Sequence, residues 1–220
     1  MYSPKVKSIL ITHQINIQSR YLLSRKLVNY FNHKFIKAFD EIWIPDNHES
    51  THSGVLSISH IATTKKFIGI QSILPASEKK QEAPSIDYLI IISGPEPARS
   101  IFEKKILHNL RQNDISITIL GGKLNHSSEV SIPSNVHYIP FADHEKIAAL
   151  IYKSKTIICR AGYSTLMDIA HMNYDGNVIL VATKGQTEQE YLALLHSSKP
   201  NHLAMSEKKF FTEFPNLKLA

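Results

Sequence analysis

The sequence predicts an α/β protein of two parts: a complete, doubly wound parallel domain over residues 86–220, preceded by a partial α/β domain over 1–75. Three observations predict it. Short apolar runs alternate with longer amphipathic stretches, the pattern of strands joined by right-handed helical crossovers. Glycines fall where the apolar runs end: Gly94, Gly121, Gly122, Gly162 and Gly185 each follow a predicted strand. Residues 76–85 read as a linker, because the ten residues from Pro75 to Pro84 hold two prolines, Ser77 and four charges with no apolar period.

In chain order, Val6 to Thr12 reads as a buried strand, and Ser19 to Phe35 as a helix with Leu22, Leu23, Leu27, Tyr30 and Phe31 at helical spacing. Glu41 to Pro45 is a short strand stopped by its proline. His60 to Ala62 and Lys66 to Ile70 are weaker strand signals. This first part has no Gly-rich strand-to-helix turn. It would expose sheet edges and apolar faces, so the sequence is expected to begin inside a longer domain.

Beyond the linker the rhythm is regular. Strands are predicted at Asp87–Ser93, Ile115–Leu120, Val136–Ile139, Thr156–Cys159 and Asn177–Ala182. Helices are predicted at Pro97–Arg111, Asp143–Lys153, Ser164–Met172 and Thr187–His196.

Hydrophobic residues make up 43% and charged residues 20% of the 220, an ordinary globular balance that argues against disorder. The net charge of +6 favours anionic partners without choosing among them. A single cysteine, Cys159, excludes an intrachain disulfide or a cysteine-based zinc site. It sits in an apolar run that suits a buried side chain better than a nucleophile. A reducing cytoplasm fits. No run approaches a membrane span, which leaves attachment to the inner face of a membrane open. His48 and His52 are four apart, but Asn47, Ser50, Ser53 and Gly54 around them argue for a loop rather than a metal-binding helix. Lys65–Lys66 and Lys79–Lys80 are too short for a nucleic-acid patch, and RNA-stacking aromatic motifs are absent.

Four segments carry candidate chemistry, each with a plain structural reading beside it. Ser93-Gly-Pro-Glu-Pro-Ala-Arg99 joins a strand to a helix, where backbone N–H groups and Arg99 could hold a phosphate or simply make a turn. In Cys159-Arg-Ala-Gly-Tyr-Ser-Thr-Leu-Met-Asp168, Gly162 allows close approach, and Ser164 and Thr165 offer hydroxyls. Asp168, one helical turn on, could take two ribose hydroxyls or serve in a capping box. Gln186 and Gln189 open the last strong helix and suit sugar hydroxyls, or an exposed first turn. His13 and Asn16 follow the first strand, where a histidine can act as a base or lie in a polar loop.

Together and in order, these segments resemble the family-28 glycosyltransferases, enzymes of GT-B architecture with two Rossmann-like domains, of which the C-terminal one binds the nucleotide-sugar donor. Gly94-Pro-Glu-Pro-Ala-Arg99 resembles the family's Gly-rich turn followed by Ala-Arg. Phe141 and Ala142 are similar to the residues that meet the base. Arg160-Ala-Gly-Tyr-Ser-Thr-Leu-Met-Asp168 resembles the family's Arg-Ala/Ser-Gly-x-x-Thr-x-x-Glu run, with Asp168 where the ribose-binding glutamate stands. Gln189-Glu190 is similar to a Gln-Gln pair at the donor sugar, and His13-Gln-Ile-Asn16 to a His-Glu-Gln-Asn stretch on the acceptor side. The specific match runs from about Phe141 to Tyr191. Two departures stand out: Asp168 is one methylene shorter than glutamate, and Pro95, Pro97 and Glu96 make the first turn poor in donors and negative.

The resemblance implies hexosyl transfer from a nucleotide diphospho-sugar, with uridine the base, to an acceptor hydroxyl. A lipid-linked acceptor is among the candidates. It implies no obligatory cofactor or metal, the diphosphate held by Arg99, Ser164 and Thr165, the sugar by Gln186 and Gln189, and His13 as base. A nucleotide-sugar hydrolase of the same fold, or an inactive nucleotide-binding fragment, would share these features.

Overall fold

A computed structural model describes residues 6–75, 83–110, 115–123 and 132–214. The chain forms two compact units, Met1–Gln71 and Ser72–Ala220. Most of the expected linker, residues 76–82, lies outside the described residues.

The first unit is a parallel sheet in the order β1 (Ile9–Ile11), β2 (Glu41–Ile44), β3 (Thr64–Phe67), with α1 (Leu22–Ile36) crossing from β1 to β2. Its core is Ile15, Ile36, Ile42, Ile44 and Ile61. The His48–His52 stretch is a loop wound about Asp46. That carboxylate is fully buried and accepts from the backbone N–H groups of Asn47, His52 and Ser53. No strand forms at His60–Ala62. There the Ser59 hydroxyl accepts from the Ile61 N–H, and the Lys65 ammonium takes the Ser59 and Ile61 carbonyls, so these groups are satisfied locally.

Helix α1 turns its apolar face outward. The apolar positions at helical spacing face outward, with Leu23, Leu27, Tyr30, Phe31 and Phe35 exposed. The inward face carries Asn29, Asn32 and Ile36. The two amides bond the Ile15 and Ile17 backbone, which fixes the helix by polar contacts.

The second unit is a six-stranded sheet, parallel throughout, in the order β6-β5-β4-β7-β8-β9. Its elements are β4 (Ile86–Ile91), α2 (Ala98–Asn109), β5 (Ile117–Leu120), β6 (Val136–Ile139), α3 (His144–Tyr152), β7 (Ser154–Cys159), α4 (Tyr163–His171), β8 (Asn177–Ala182), α5 (Thr187–His196), β9 (His202–Ser206) and α6 (Glu207–Glu213). Numbered from β4 the order is 3-2-1-4-5-6, the doubly wound arrangement that the sequence predicts. Strands this apolar are buried on both faces. One face packs Tyr88, Ile90, Phe102, Ile106 and Phe210; the other packs Leu120 and Ile139 against Ala142.

The last two elements, β9 and α6, are absent from the sequence expectation. β9 is an edge strand whose side chains are mostly in contact with solvent. α6 is a seven-residue helix capped by Ser206, whose hydroxyl accepts from the Lys209 N–H at 3.2 Å.

Candidate donor site

The chain reverses its winding between β4 and β7, which pair with each other in the middle of the sheet. Right-handed crossovers carry α2 and α4 to opposite faces and leave a crevice beyond the carboxyl ends of these two strands. The two strongest sequence motifs are the turns that border it: β4–α2, with Gly94 to Arg99, and β7–α4, with Arg160 to Asp168.

The two turns are built differently. At β4–α2, Gly94 has a φ of +108°, which a side chain would strain. The start of α2 is closed by the chain's own acid. Glu96 accepts from the Ser100 N–H at 3.2 Å and the Ser100 hydroxyl at 2.9 Å, and pairs with Lys123 at 2.8 Å. The Lys123 and Ser100 bonds hold the Glu96 carboxyl down at about 2, so it is ionised at any working pH. A phosphate at this helix start would meet a carboxylate already in place.

At β7–α4 the helix start is open. Gly162 is the N-cap and makes no side-chain capping bond, and Leu166 is the first residue whose N–H bonds within the turn, at 3.1 Å to the Gly162 carbonyl. The N–H groups of Ser164 and Thr165 precede that bond, in the first turn where a helix supplies no acceptor of its own. Ser164 and Thr165 lie inside the first turn rather than at the cap, which corrects the capping role that the sequence suggested for them. A Cβ built on Gly162 meets no atom within 4 Å. The result is an open helix start of the kind that receives phosphate.

Asp168 stands one turn further along α4, on the same face as Ser164. It is half-buried, and the Ser72 hydroxyl donates to its Oδ1 at 2.6 Å. Burial raises its pKa above the ordinary aspartate value, opposed by the Ser72 bond and by His171 and His144 nearby.

The two arginines do not stand in the crevice. Arg99 is buried. Its guanidinium donates to the Gly121 carbonyl and faces Glu96 at 3.4 Å and Glu103 at 3.6 Å. Glu103 also accepts from the Tyr138 hydroxyl. The structure thus gives Arg99 the task of tying the β4–α2 turn to the end of β5, in place of the direct phosphate contact expected from sequence. Arg160 is buried deeper still. It donates to the Val181 carbonyl at 3.2 Å and to Glu207 at 3.1 Å, and lies 3.8 Å from the centre of the Phe102 ring. Its charge is spent within the fold.

The β8–α5 loop opens beside β7–α4. Gln189 is buried and its Oε1 accepts the Thr183 N–H at 3.0 Å, which shapes the loop. Gln186 is the half-buried N-cap residue of α5, and Lys184 stands exposed beside it. Phe141 and Ala142 lie after β6, at the outer edge of this sheet. Phe141 is 58% exposed, while Ala142 packs under α3. Asn16 and His13 belong to the first unit. The Asn16 amide is committed to the Val55 and Ile58 carbonyls and to His33, so it braces a loop. Sequence reasoning missed Ser72, His144 and His171 around Asp168. Ser72 lies in no motif, and the two histidines flank one without belonging to it. Cys159 is fully buried, and burial pushes its thiol up to about 12, which removes it as a nucleophile. Among the described residues no cluster of metal-ligating side chains occurs.

No protein-family model matches the sequence, and no curated protein matches it. Solved structures do resemble it. The glycotransferase of kitacinnamycin superposes with a TM-score of 0.57 at 9% identity, over 95% of this chain and 62% of that one. The spinosyn forosaminyltransferase SpnP superposes with a TM-score of 0.53 at 11% identity, over 91% of this chain and 56% of that one. The chain thus spans about three-fifths of the length of these enzymes, and at such identities the likeness is one of fold. The two parallel α/β units have the fold found in glycosyltransferases of the GT-B type.

Proposed function

We infer that the second unit binds a nucleotide diphospho-sugar, and that the protein serves transfer of the hexosyl group to an acceptor hydroxyl, in the manner of the family-28 enzymes that its motifs resemble. The observation that carries this reading is the open start of α4 at the topological switch point, with Asp168 one turn along the same face. In the transfer, the acceptor oxygen bonds the anomeric carbon as the bond from that carbon to the diphosphate breaks. Charge develops on the departing diphosphate. The N–H groups at the start of α4 and the hydroxyls of Ser164 and Thr165 answer that charge without a metal. Asp168 takes the ribose hydroxyls, Phe141 and Ala142 border the base, and Gln186 faces the sugar. Resemblance assigns the base to His13 of the first unit.

Calorimetric titration of the folded chain with UDP, GDP and ADP tests the reading. Binding of one diphosphate that is lost in Asp168→Ala supports it. A folded chain that binds none of the three rejects it.

A further inference from the structure

Three segments of the second unit meet at Asp168. Helix α4 carries it, the Ser72 hydroxyl donates to it at 2.6 Å, and His144, the first residue of α3, acts on it electrostatically. On each of the two outer segments one apolar side chain stands in solvent beside a buried anchor. Leu74 is buried, and its N–H donates to the Ser72 hydroxyl at 3.1 Å, so the turn that carries Ile73 is pinned on both sides. Ile73 itself is 72% exposed. Ala142 is likewise buried, and the Asp143 carboxylate accepts from the Lys146 N–H at 2.8 Å, which fixes the turn that carries exposed Phe141. Single exposed apolar side chains are ordinary on a protein surface. Two of them on pinned turns that converge on one carboxylate are not scattered singly.

We propose that Ile73 is a nucleoside-binding residue: with Phe141 it walls a slot for the base, whose ribose reaches Asp168. The inference rests on the donor-site reading above and adds a residue that no motif marks. A base presents two flat apolar faces, one suited to an aromatic ring and the other to an aliphatic side chain. A β-branched side chain has little rotamer freedom to lose when it is covered. Neither wall offers a hydrogen bond to the edge of the base, so the pair adds affinity and little choice among bases.

Calorimetry with UDP, and with inorganic pyrophosphate as its competitor, tests this on the wild type, Ile73→Ala, Ile73→Leu and Asp168→Ala. Ile73→Ala is expected to weaken UDP binding about three- to tenfold, the scale of an aliphatic side chain cut back to a methyl, and to leave pyrophosphate binding unchanged. Ile73→Leu should hold UDP within about twofold of the wild type. Both Ile73 variants should melt with the wild type, because the side chain is exposed in the free fold. UDP affinity that Ile73→Ala leaves unchanged, or a loss that pyrophosphate shares equally, overturns the proposal. The donor site then still stands if Asp168→Ala abolishes UDP binding. A folded wild type that binds no UDP overturns the proposal and the donor site together.

Discussion

The Ser72 hydroxyl donates to Asp168 Oδ1 at 2.6 Å across 96 positions of sequence, at the point where the second unit begins. It leaves Oδ2 of the same carboxylate for a ligand. Burial of Asp168 pushes its pKa up, so the fold penalises the anion that the proposed ribose contact needs. A carboxyl raised in the folded state subtracts stability as pH rises from the ordinary aspartate value through the raised one. Asp168→Asn is therefore expected to melt at or above the wild-type temperature at neutral pH, with the advantage vanishing in acid. Its nucleotide affinity should fall by about tenfold or more, the scale of a lost charged hydrogen bond. Calorimetry beside thermal melts at two pH values checks both halves.

Removing the hydroxyl from the partner gives a second shift in the same direction. The Ser72 bond lowers the Asp168 pKa, so Ser72→Ala should raise it further. The proposed nucleotide binding, which draws on the anion, should then be lost at a higher pH than in the wild type as the solution is acidified. Affinity measured across pH reads the midpoint, and an unmoved midpoint would show that Ser72 does not govern this carboxylate.

Gly162→Ala separates binding from stability. The backbone at Gly162 has an ordinary φ of −78°, and a Cβ there meets no atom within 4 Å, so alanine fits the empty fold. Stability should change by less than about 1 kcal/mol and in the favourable direction. The added methyl occupies the open space at the start of α4, so diphosphate affinity should fall severalfold. Urea unfolding and titration on the same sample decide it.

Glu96→Gln should act the other way. The carboxylate now fills the α2 start and repels a second negative charge. Neutralising it is expected to strengthen diphosphate binding by about two- to fivefold at low salt, with the gain shrinking as salt rises. A weaker variant would mean that the Glu96–Lys123 pair itself shapes the site.

The Arg160–Glu207 pair ties α6 to the end of β7. Glu207→Ala leaves a guanidinium that is 2% exposed against Phe102 with no carboxylate, at a cost of about 3–5 kcal/mol. Burial raises the Glu207 pKa, but Lys105 and Arg160 outweigh it and the net shift is downward. Its stabilisation is thus present above the ordinary glutamate value and is lost as pH falls through the lower folded one. Denaturant titration at neutral pH and in acid measures both.

Much of the second unit was legible because its strands are buried on both faces and its turns carry glycine. Val136–Ile139, Asn177–Ala182 and Thr187–His196 fall at their expected bounds. The misses share a cause: information held by residues far apart in sequence. The functional appearance of Arg160 dissolves once Glu207, 47 positions on, is seen beside it, and α6 itself is too short and charged to announce a core contact. Arg99 likewise answers to the Gly121 carbonyl, which no sequence pattern marks. In α1 the apolar period was real, yet periodicity names a face without saying which side is inward, and Asn29 and Asn32 decided that.

The measurement that tests the central claim most directly is titration of UDP into the wild-type chain, Gly162→Ala and Asp168→Ala under identical conditions. The account predicts binding to the wild type, loss in Asp168→Ala and a severalfold weaker affinity in Gly162→Ala, while their folds persist. An affinity that both substitutions leave unchanged would place the nucleotide away from α4 and contradict the assignment of the donor site.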